Sequence, residues 1–209
     1  MTEQLLPLFP LQVVLFPQSI LPLHIFEERY KQLIGECLEE TEREFGINLV
    51  TEAGLARVGC TAVVADVLQR YDDGRLDILV EGRRRFELSR LMSGAALYSV
   101  GHIRWFDDVE EAIDRPLALE TVALHNQLVE MVYRQEEFRL EYDPANAAFS
   151  FKIAQKAGME LAHRQRLLEM NSENERLRFL REYFVEVIPK LERLSEVERI
   201  IKSDGYIIK

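Results

Sequence analysis

The chain has 209 residues, of which 47% are hydrophobic and 9% aromatic, which is enough apolar material for a buried core and excludes an intrinsically disordered chain. Its 26 basic and 36 acidic residues give a net charge of −10. This charge argues against nucleic acid or an anionic membrane as a partner, because both are bound by basic surfaces.

The first thirty residues mix proline with apolar side chains. Four of the seven prolines lie in PLFPLQVVLFPQSILPLHIFEERY, residues 7–30. Because proline cannot donate to a central ladder, we predict that Leu6 to Phe16 form an edge strand with a bulge, followed by a rigid crossover at residues 17–22. No basic residue precedes this stretch, and its prolines would break the helix of a signal peptide, so we expect it to be part of the mature fold. No apolar run reaches the roughly 20 residues of a membrane span.

A first helix is predicted in IFEERYKQLIGECLEE, residues 25–40. Phe26 and Tyr30 lie at helical spacing, which predicts a core pair; the alternative is a surface that grips a peptide. The two cysteines, Cys37 and Cys60, lack CxxC spacing and are expected to be buried free thiols. Such cysteines are typical of a reducing compartment, so we predict a cytoplasmic protein.

Short strands are predicted between residues 45 and 106. The segments are FGINLV, ARVGCTAVVADVLQRY, LDILVEG, RRFELSRLM and ALYSVGHIRWF. Asp73-Gly74 is predicted to supply the positive φ values of a tight hairpin, and Ser93-Gly94 marks a second break. Five or six short strands around one helix indicate a small closed or half-closed barrel.

The second half has the period of helices. A helix is predicted within residues 117–135, and a second is expected to start at Asp143-Pro144, an N-cap followed by proline. A shorter segment follows Gly158 and ends near Met170, and Ser172 with Glu175 has the spacing of a capping box for a long last helix. The apolar stripe of that helix is Leu177, Leu180, Phe184, Val187, Leu191 and Leu194. Pro189 predicts a kink or break within it. The change of period predicts two subdomains, residues 1–108 and 109–209.

Several of these segments carry a family resemblance. LPLFPLQVVLFP, LPLHIFEERY, FGINLV, DGRLDILVEGRRRFEL and RQRLLEMNSENERLRFL resemble the N-terminal substrate-recognition domain of the Lon ATP-dependent proteases, over about residues 5–195. The resemblance implies an α+β fold in which a PUA-like β pseudo-barrel with one helix is followed by a C-terminal helical bundle. This agrees with the division reached from the period alone.

The motifs of catalysis and metal binding are not found in the sequence. None of the ten glycines is followed by lysine, so there is no phosphate-binding G-x-x-x-x-G-K-[ST] loop, and no G-x-S-x-G elbow is present. We therefore predict no enzyme activity and no cofactor. The four histidines lack zinc-site spacing, although His24 with Glu27 can be imagined as a pair. Arg83 to Arg85 form a basic cluster, but Glu81 and Glu87 flank it and favour ion pairs over RNA binding.

Two functional hypotheses follow. The first is a non-catalytic module that recognises apolar segments of unfolded or degron-bearing polypeptides, which add to a sheet edge or lie in a groove between barrel and bundle. Its candidate peptide-binding residues are Phe16, Leu21, Leu23, Phe26 and Tyr30. The second is a structural or adaptor protein that docks on a protease or self-assembles through its helices, because Phe179, Tyr183 and Ile188 widen the apolar face of the last helix.

Overall fold

The computed structural model describes residues 3–40, 43–92 and 96–203. It is a mixed α+β fold in which strands dominate the N-terminal part and helices the C-terminal part, as predicted. The strands are β1 (Gln4–Leu8), β2 (Ile20–Ile25), β3 (Phe45–Ile47), β4 (Val50–Thr51), β5 (Gly54–Leu55), β6 (Val58–Arg70), β7 (Leu76–Met92) and β8 (Ser99–Trp105). The α-helices are α1 (Glu28–Glu39), α2 (Arg115–Val132), α3 (Phe149–Ala154), α4 (Leu161–Glu169) and α5 (Glu173–Ser203), with a 3₁₀ turn at Glu136–Phe138.

The chain forms two compact units. The first contains residues 1–110 and 159–171, and the second contains residues 111–158 and 172–209. Helix α4 therefore belongs to the unit of the strands, although it lies between α3 and α5 in sequence. The division at residue 108 stays a prediction about domains.

The strands of the first unit pair in the order β2-β7-β6-β3-β1-β8, and β8 also pairs with β7. The pairing therefore returns on itself from β7 through β6, β3, β1 and β8. The length of β7 makes this possible, because its first half pairs with β2 and its second half with β8. Strand β2 stands outside the closed set, and among the described strands it pairs only with β7.

The predicted edge strand at Leu6 to Phe16 is wrong. Strand β1 ends at Leu8 and is flanked by β3 and β8. The parallel ladder to β3 has a single aligned pair, Leu8 with Gly46, so Pro7 is accommodated without interrupting it. The edge strand is β2, whose first three residues lie in the segment expected to be a crossover and whose last three lie beyond it.

Side-chain alternation builds two apolar cores in the first unit. The larger core packs one face of α1, through Tyr30, Leu33, Ile34 and Cys37, against the strands. The smaller contains Leu6, Leu8, Phe86, Leu88 and Ile103. Both cysteines are free and buried, as predicted, and burial raises the pKa of Cys37 to about 11.

The hairpin between β6 and β7 is confirmed, but its turn differs in detail. Only Gly74 has a positive φ, of 81°, and Asp73 does not. The N–H of Gly74 donates to the carbonyl of Tyr71, and the N–H of Tyr71 donates to that of Arg75. The loop is thus longer than a two-residue turn and needs one left-handed residue instead of two. Ser93-Gly94 lies outside the described residues.

The second unit is helical, and α5 packs against α2 and α3. Helix α2 is capped by Asp114, whose carboxylate accepts the N–H of Leu117, and α5 by Ser172, whose hydroxyl accepts the N–H of Glu175. The Ser172 cap was predicted. Of the kink or break predicted at Pro189, the break does not occur, because α5 continues through this residue. The kink stays a prediction.

The predicted helix start at Asp143-Pro144 is wrong. The Asp143 carboxylate accepts the N–H of Ala145 and caps a turn, and α3 begins six residues later at Phe149. The apolar stripe of α5 is buried at Leu177, Leu180 and Phe184, whereas Leu194 is 62% exposed.

Candidate functional site

The free side of β2 is the candidate binding site of the first unit. The N–H of Gly82 donates to the carbonyl of Ser19, and the antiparallel register continues from there as Leu21 with Val80 and Leu23 with Ile78. Hydrogen-bonded pairs alternate along such a ladder. The backbone groups of Ile20, Pro22 and His24 therefore point away from β7, where no strand pairs with them in the described part of the chain.

This geometry explains why proline occurs in β2. The missing N–H of Pro22 falls on the outer side, so the ladder with β7 loses no hydrogen bond. On the outer side, Ile20 and His24 each offer an N–H and a carbonyl, and Pro22 offers a carbonyl only. These groups can pair with an extended polypeptide.

The side chains of β2 alternate between its two faces. Leu21 and Leu23 are half-buried and pack against the larger core, whereas Ile20 is 55% exposed. Phe26, directly after the strand, is 59% exposed. The free edge therefore has an exposed apolar side chain near each end.

The predicted core position of Phe26 is wrong. The prediction used its helical spacing to Tyr30, but α1 begins at Glu28, so Phe26 is not on the helix. Its direction follows the strand instead: Ile25 points into the core with 1% exposure, and the next side chain points outward.

Two of the five predicted peptide-binding residues are not on the surface. Phe16 is fully buried, and the guanidinium of Arg164 from α4 lies 4.6 Å from the centre of its ring. Tyr30 is 6% exposed and stacks on Phe9 with ring centres 3.9 Å apart. The structure thus places Leu21 and Leu23 on the core face of β2 and Phe26 on its outer face, and it places Phe16 and Tyr30 in the interior.

A polar network that the sequence analysis missed lies beside Phe26. His24 Nδ1 is 2.6 Å from Asp77 Oδ1, and the hydroxyl of Tyr71 donates to Asp77 Oδ2 at 2.7 Å. These bonds lower the pKa of Asp77, with the bond to His24 as the larger cause, and the bond to Asp77 raises the pKa of Tyr71. The ring of Phe26 lies 6.0 Å from that of His24. The long-range register between β2 and β7 pairs His24 with Asp77, and no local sequence signal indicates that register.

The arginine cluster is neutralised within the first unit. Arg83 pairs with Glu81 and Arg84 with Asp107, each at 3.3 Å. Arg85 is buried, pairs with Asp108 and donates to the carbonyls of Leu168 and Met170, the former at 2.8 Å. It thereby binds the C-terminal end of α4, where a cation is favourable. Such a cluster is unsuited to phosphate binding.

Within residues 3–40, 43–92 and 96–203, no group of three or more His, Cys, Asp and Glu side chains is arranged to hold a metal ion. His24 contacts Asp77 and not Glu27. The helices of the described segments include none with the length and apolar character needed to cross a membrane.

Comparison with known proteins gives a consistent family match. The model of the family described as the ATP-dependent protease La (LON) substrate-binding domain matches residues 5–185. The chain is 26% identical to the Lon protease of Escherichia coli strain K12 over 95% of its own length and 26% of that protein. It is 28% identical to the Lon protease of Xanthomonas oryzae pv. oryzae over 84% of its length and 22% of the relative. The chain thus spans about a quarter of the length of these curated relatives.

Solved structures with a similar fold are isolated N-terminal domains. A crystal structure of a Lon N-terminal domain protein from Xanthomonas campestris has a TM-score of 0.66 at 26% identity, covering 85% of this chain and 96% of that one. The N-terminal domain of the Mycobacterium avium complex Lon protease has a TM-score of 0.65 at 20% identity, covering 87% and 98%. The second match supports the fold alone.

Proposed function

Because the chain belongs to the Lon substrate-binding domain family, we propose that it is a non-catalytic, cofactor-free module that recognises apolar segments of unfolded or degron-bearing polypeptides. The match is to the substrate-binding domain and not to the ATPase or protease domains, which supports the absence of catalysis. We also propose that the closed pairing of the first unit is a PUA-like pseudo-barrel and that α2, α3 and α5 form a helical bundle. The free, buried cysteines favour a cytoplasmic location.

The free edge of β2 is the observation that carries this proposal. An extended client adds to β2 as a further strand and pairs with the outer backbone groups of Ile20, Pro22 and His24. Its apolar side chains contact Phe26 and Ile20, and the half-buried Leu21 and Leu23 line the other face. Main-chain pairing tolerates many sequences, which suits a module with varied clients.

The backbone part of the proposal is tested by a proline substitution. His24→Pro removes the outer N–H of residue 24 while leaving the ladder with β7 intact, and His24→Ala is the matched control that loses only the side chain. Titration calorimetry with a reduced, unfolded test protein should show binding by His24→Ala and about fivefold to tenfold weaker binding by His24→Pro, as expected for one lost hydrogen bond. Equal affinities of the two variants would remove β2 as the docking edge.

The apolar part is tested at Phe26, which is exposed and can be changed without opening the core. Phe26→Ser should weaken client binding by about 1 kcal/mol or more, as for other apolar anchors. Leu119→Ser on α2, where the side chain is 48% exposed, is the control and should bind as the unchanged protein does. Undiminished client binding by Phe26→Ser would show that the recognition surface does not include Phe26.

An adaptor role is the second candidate, and the exposed apolar residues of α5 support it. Leu194 and Val197, three residues apart on one face of α5, are 62% and 53% exposed. Such a face suits a protease partner or a second copy of the chain. Light scattering tests self-assembly: a concentration-dependent dimer that Leu194→Glu abolishes supports it, and a monomer at all concentrations excludes it.

A further inference from the structure

A cleft lies in the first unit, apart from the β2 edge. Its volume is about 450 Å³, within the range of small-ligand sites. Residues of β1, the segment before β3, β7 and β8 line it: Leu5, Pro7, Arg43, Glu44, Arg84 and Trp105. The cleft exists because β1 and β3 share only the aligned pair Leu8 and Gly46. Residues 4–7 therefore do not pair with residues 43–44, although they pair with β8 on their other side.

Glu44 is the acidic residue of this cleft, and its side chain is partly buried. Its Oε2 atom is buried and has no hydrogen-bond partner in the described part of the chain, and no cation there forms an ion pair with its carboxylate. A buried acceptor without a partner costs about 1–3 kcal/mol and more when it is charged. Rotation of the partly buried Glu44 side chain can bring this oxygen to a cationic donor in the cleft, and the ligand then recovers part of this free energy.

The two arginines of the cleft already have acidic partners. Arg43 pairs with Glu36 at 3.0 Å and with Glu40 at 3.1 Å, and Arg84 pairs with Asp107 at 3.3 Å. Their charges are therefore largely balanced by groups other than Glu44. The unbalanced charge in the cleft is negative, which favours a cationic ligand over an anionic one.

Apolar surface lies beside this charge. Leu5 is 53% exposed, and Trp105 is half-buried against the smaller core. The guanidinium of Arg84 lies 4.1 Å from the centre of the Trp105 ring system and covers one of its faces. The remaining indole surface, with Leu5 and Pro7, offers an apolar wall for a ligand.

We propose that this cleft binds a lysine or arginine side chain of a polypeptide segment at Glu44, while a neighbouring apolar side chain of the same segment contacts Leu5 and Trp105. The inference deepens the proposed function, on which it rests in taking a polypeptide as the ligand. It adds a preference for clients in which basic and apolar residues are adjacent. In this proposal the β2 edge binds the backbone of a client, and the cleft recognises one cationic side chain.

Trp105 is the only tryptophan of the chain, so its fluorescence reports directly on this cleft. The probe is the peptide Leu-Lys-Leu with both termini blocked, and the control is the same peptide with norleucine in place of lysine. We expect a saturable change in Trp105 emission with the lysine peptide and at least tenfold weaker binding of the norleucine peptide. Equal responses to the two peptides, or no response to either, would overturn the proposal.

Glu44→Gln should reduce affinity for the lysine peptide about tenfold, and Glu52→Gln, which removes one exposed carboxylate elsewhere in the first unit, should leave it unchanged. Equal losses in both variants would mean that only the net charge matters and would contradict a site at Glu44. If Glu44→Gln fails to fold, the proposal is still tested by comparing the affinities of the lysine and norleucine peptides for the unchanged protein. Phe26→Ser should keep the peptide response and lose affinity for the unfolded client. Undiminished client binding by Phe26→Ser, with the lysine-dependent Trp105 response present, refutes the β2 edge alone. Client binding that depends on Phe26, without a lysine-dependent Trp105 response, refutes the cleft alone.

Discussion

The backbone of Phe16 lies directly against Gly82, so that a Cβ atom at residue 82 would be 2.1 Å from the carbonyl oxygen of Phe16. This contact forms where β7 passes the loop that leads into β2, and Gln18 donates its N–H to the carbonyl of Gly82 at 2.8 Å. Any side chain at residue 82 must push these two backbone segments apart.

We therefore expect Gly82→Ala to lower the free energy of unfolding by about 2 kcal/mol or more, because the obstructing atom belongs to the backbone and cannot rotate away. Gly35→Ala is the matched control. Gly35 lies within α1, and a Cβ atom there would meet open space, so alanine should stabilise the protein by about 0.5–1 kcal/mol. Urea denaturation of both variants measures the difference, and two losses of similar size would contradict the steric explanation.

Gly74→Val should destabilise the β6–β7 hairpin by about 1–2 kcal/mol. The reason is conformational, because φ at Gly74 is 81°. A Cβ atom added at residue 74 would not clash, since its nearest contacts would be Lys31 side-chain atoms at 3.8 Å. Gly74→Asn, which tolerates positive φ, should lose less. A melting temperature of Gly74→Val equal to that of the unchanged protein would show that this turn is not conformationally restricted.

His125 makes the second unit sensitive to acid. Its side chain is fully buried, Nε2 has no hydrogen-bond partner among the described residues, and burial lowers its pKa. As the pH falls below the ordinary value of about 6.5, the unfolded state takes up a proton that the folded state does not, so stability is lost until the lowered pKa is reached. His125→Leu should lose less stability than the unchanged protein between about pH 7.5 and pH 5.5 in urea denaturation. Parallel losses in the two proteins would exclude His125 as the cause.

A buried ion pair within α5 is hydrogen-bonded to Ser150 at the start of α3. Glu173 accepts hydrogen bonds from Arg176 at 2.7 Å and from the N–H and hydroxyl of Ser150, and all three residues are almost fully buried. Arg176→Met should destabilise by about 3 kcal/mol, because the carboxylate is left buried with a reduced set of donors. The exposed pair Glu186–Lys190 on the same helix is the control, and Lys190→Met should change stability by less than about 1 kcal/mol. Similar losses at the two positions would argue against burial as the source of the effect.

Local patterns predicted most elements. The wrong predictions concern features that depend on packing or long-range pairing, which a single stretch of sequence does not show. Alternation identified β6 and β7, and the Ser172 cap identified the start of α5. Asp143-Pro144 failed because the same pair that caps a helix also caps a turn, and only the packing of the following residues decides between them.

Long-range pairing set the remaining limit. The neighbours of β1 are β3 and β8, which lie far along the chain, so no local pattern could distinguish a central strand from an edge. The helix predicted from residue 25 begins three residues later at Glu28, and that shift changes Phe26 from a predicted core side chain into an exposed one. For the candidate site, the sequence suggested Leu21, Leu23 and Phe26 beside the proline-rich edge. The outward direction of Phe26 and the network of His24, Asp77 and Tyr71 required the strand register.

The membership of α4 in the first unit has a consequence for synthesis on the ribosome. Arg85 donates to carbonyls at the end of α4, and Gln165 within it donates to the carbonyl of Val58 on β6. These partners are translated long after the last strand has emerged. While α2 and α3 are translated, the strands of the first unit are already complete but Arg85 still lacks its α4 acceptors. This unit therefore cannot finish folding in the N-terminal-first order that is usual for successive domains.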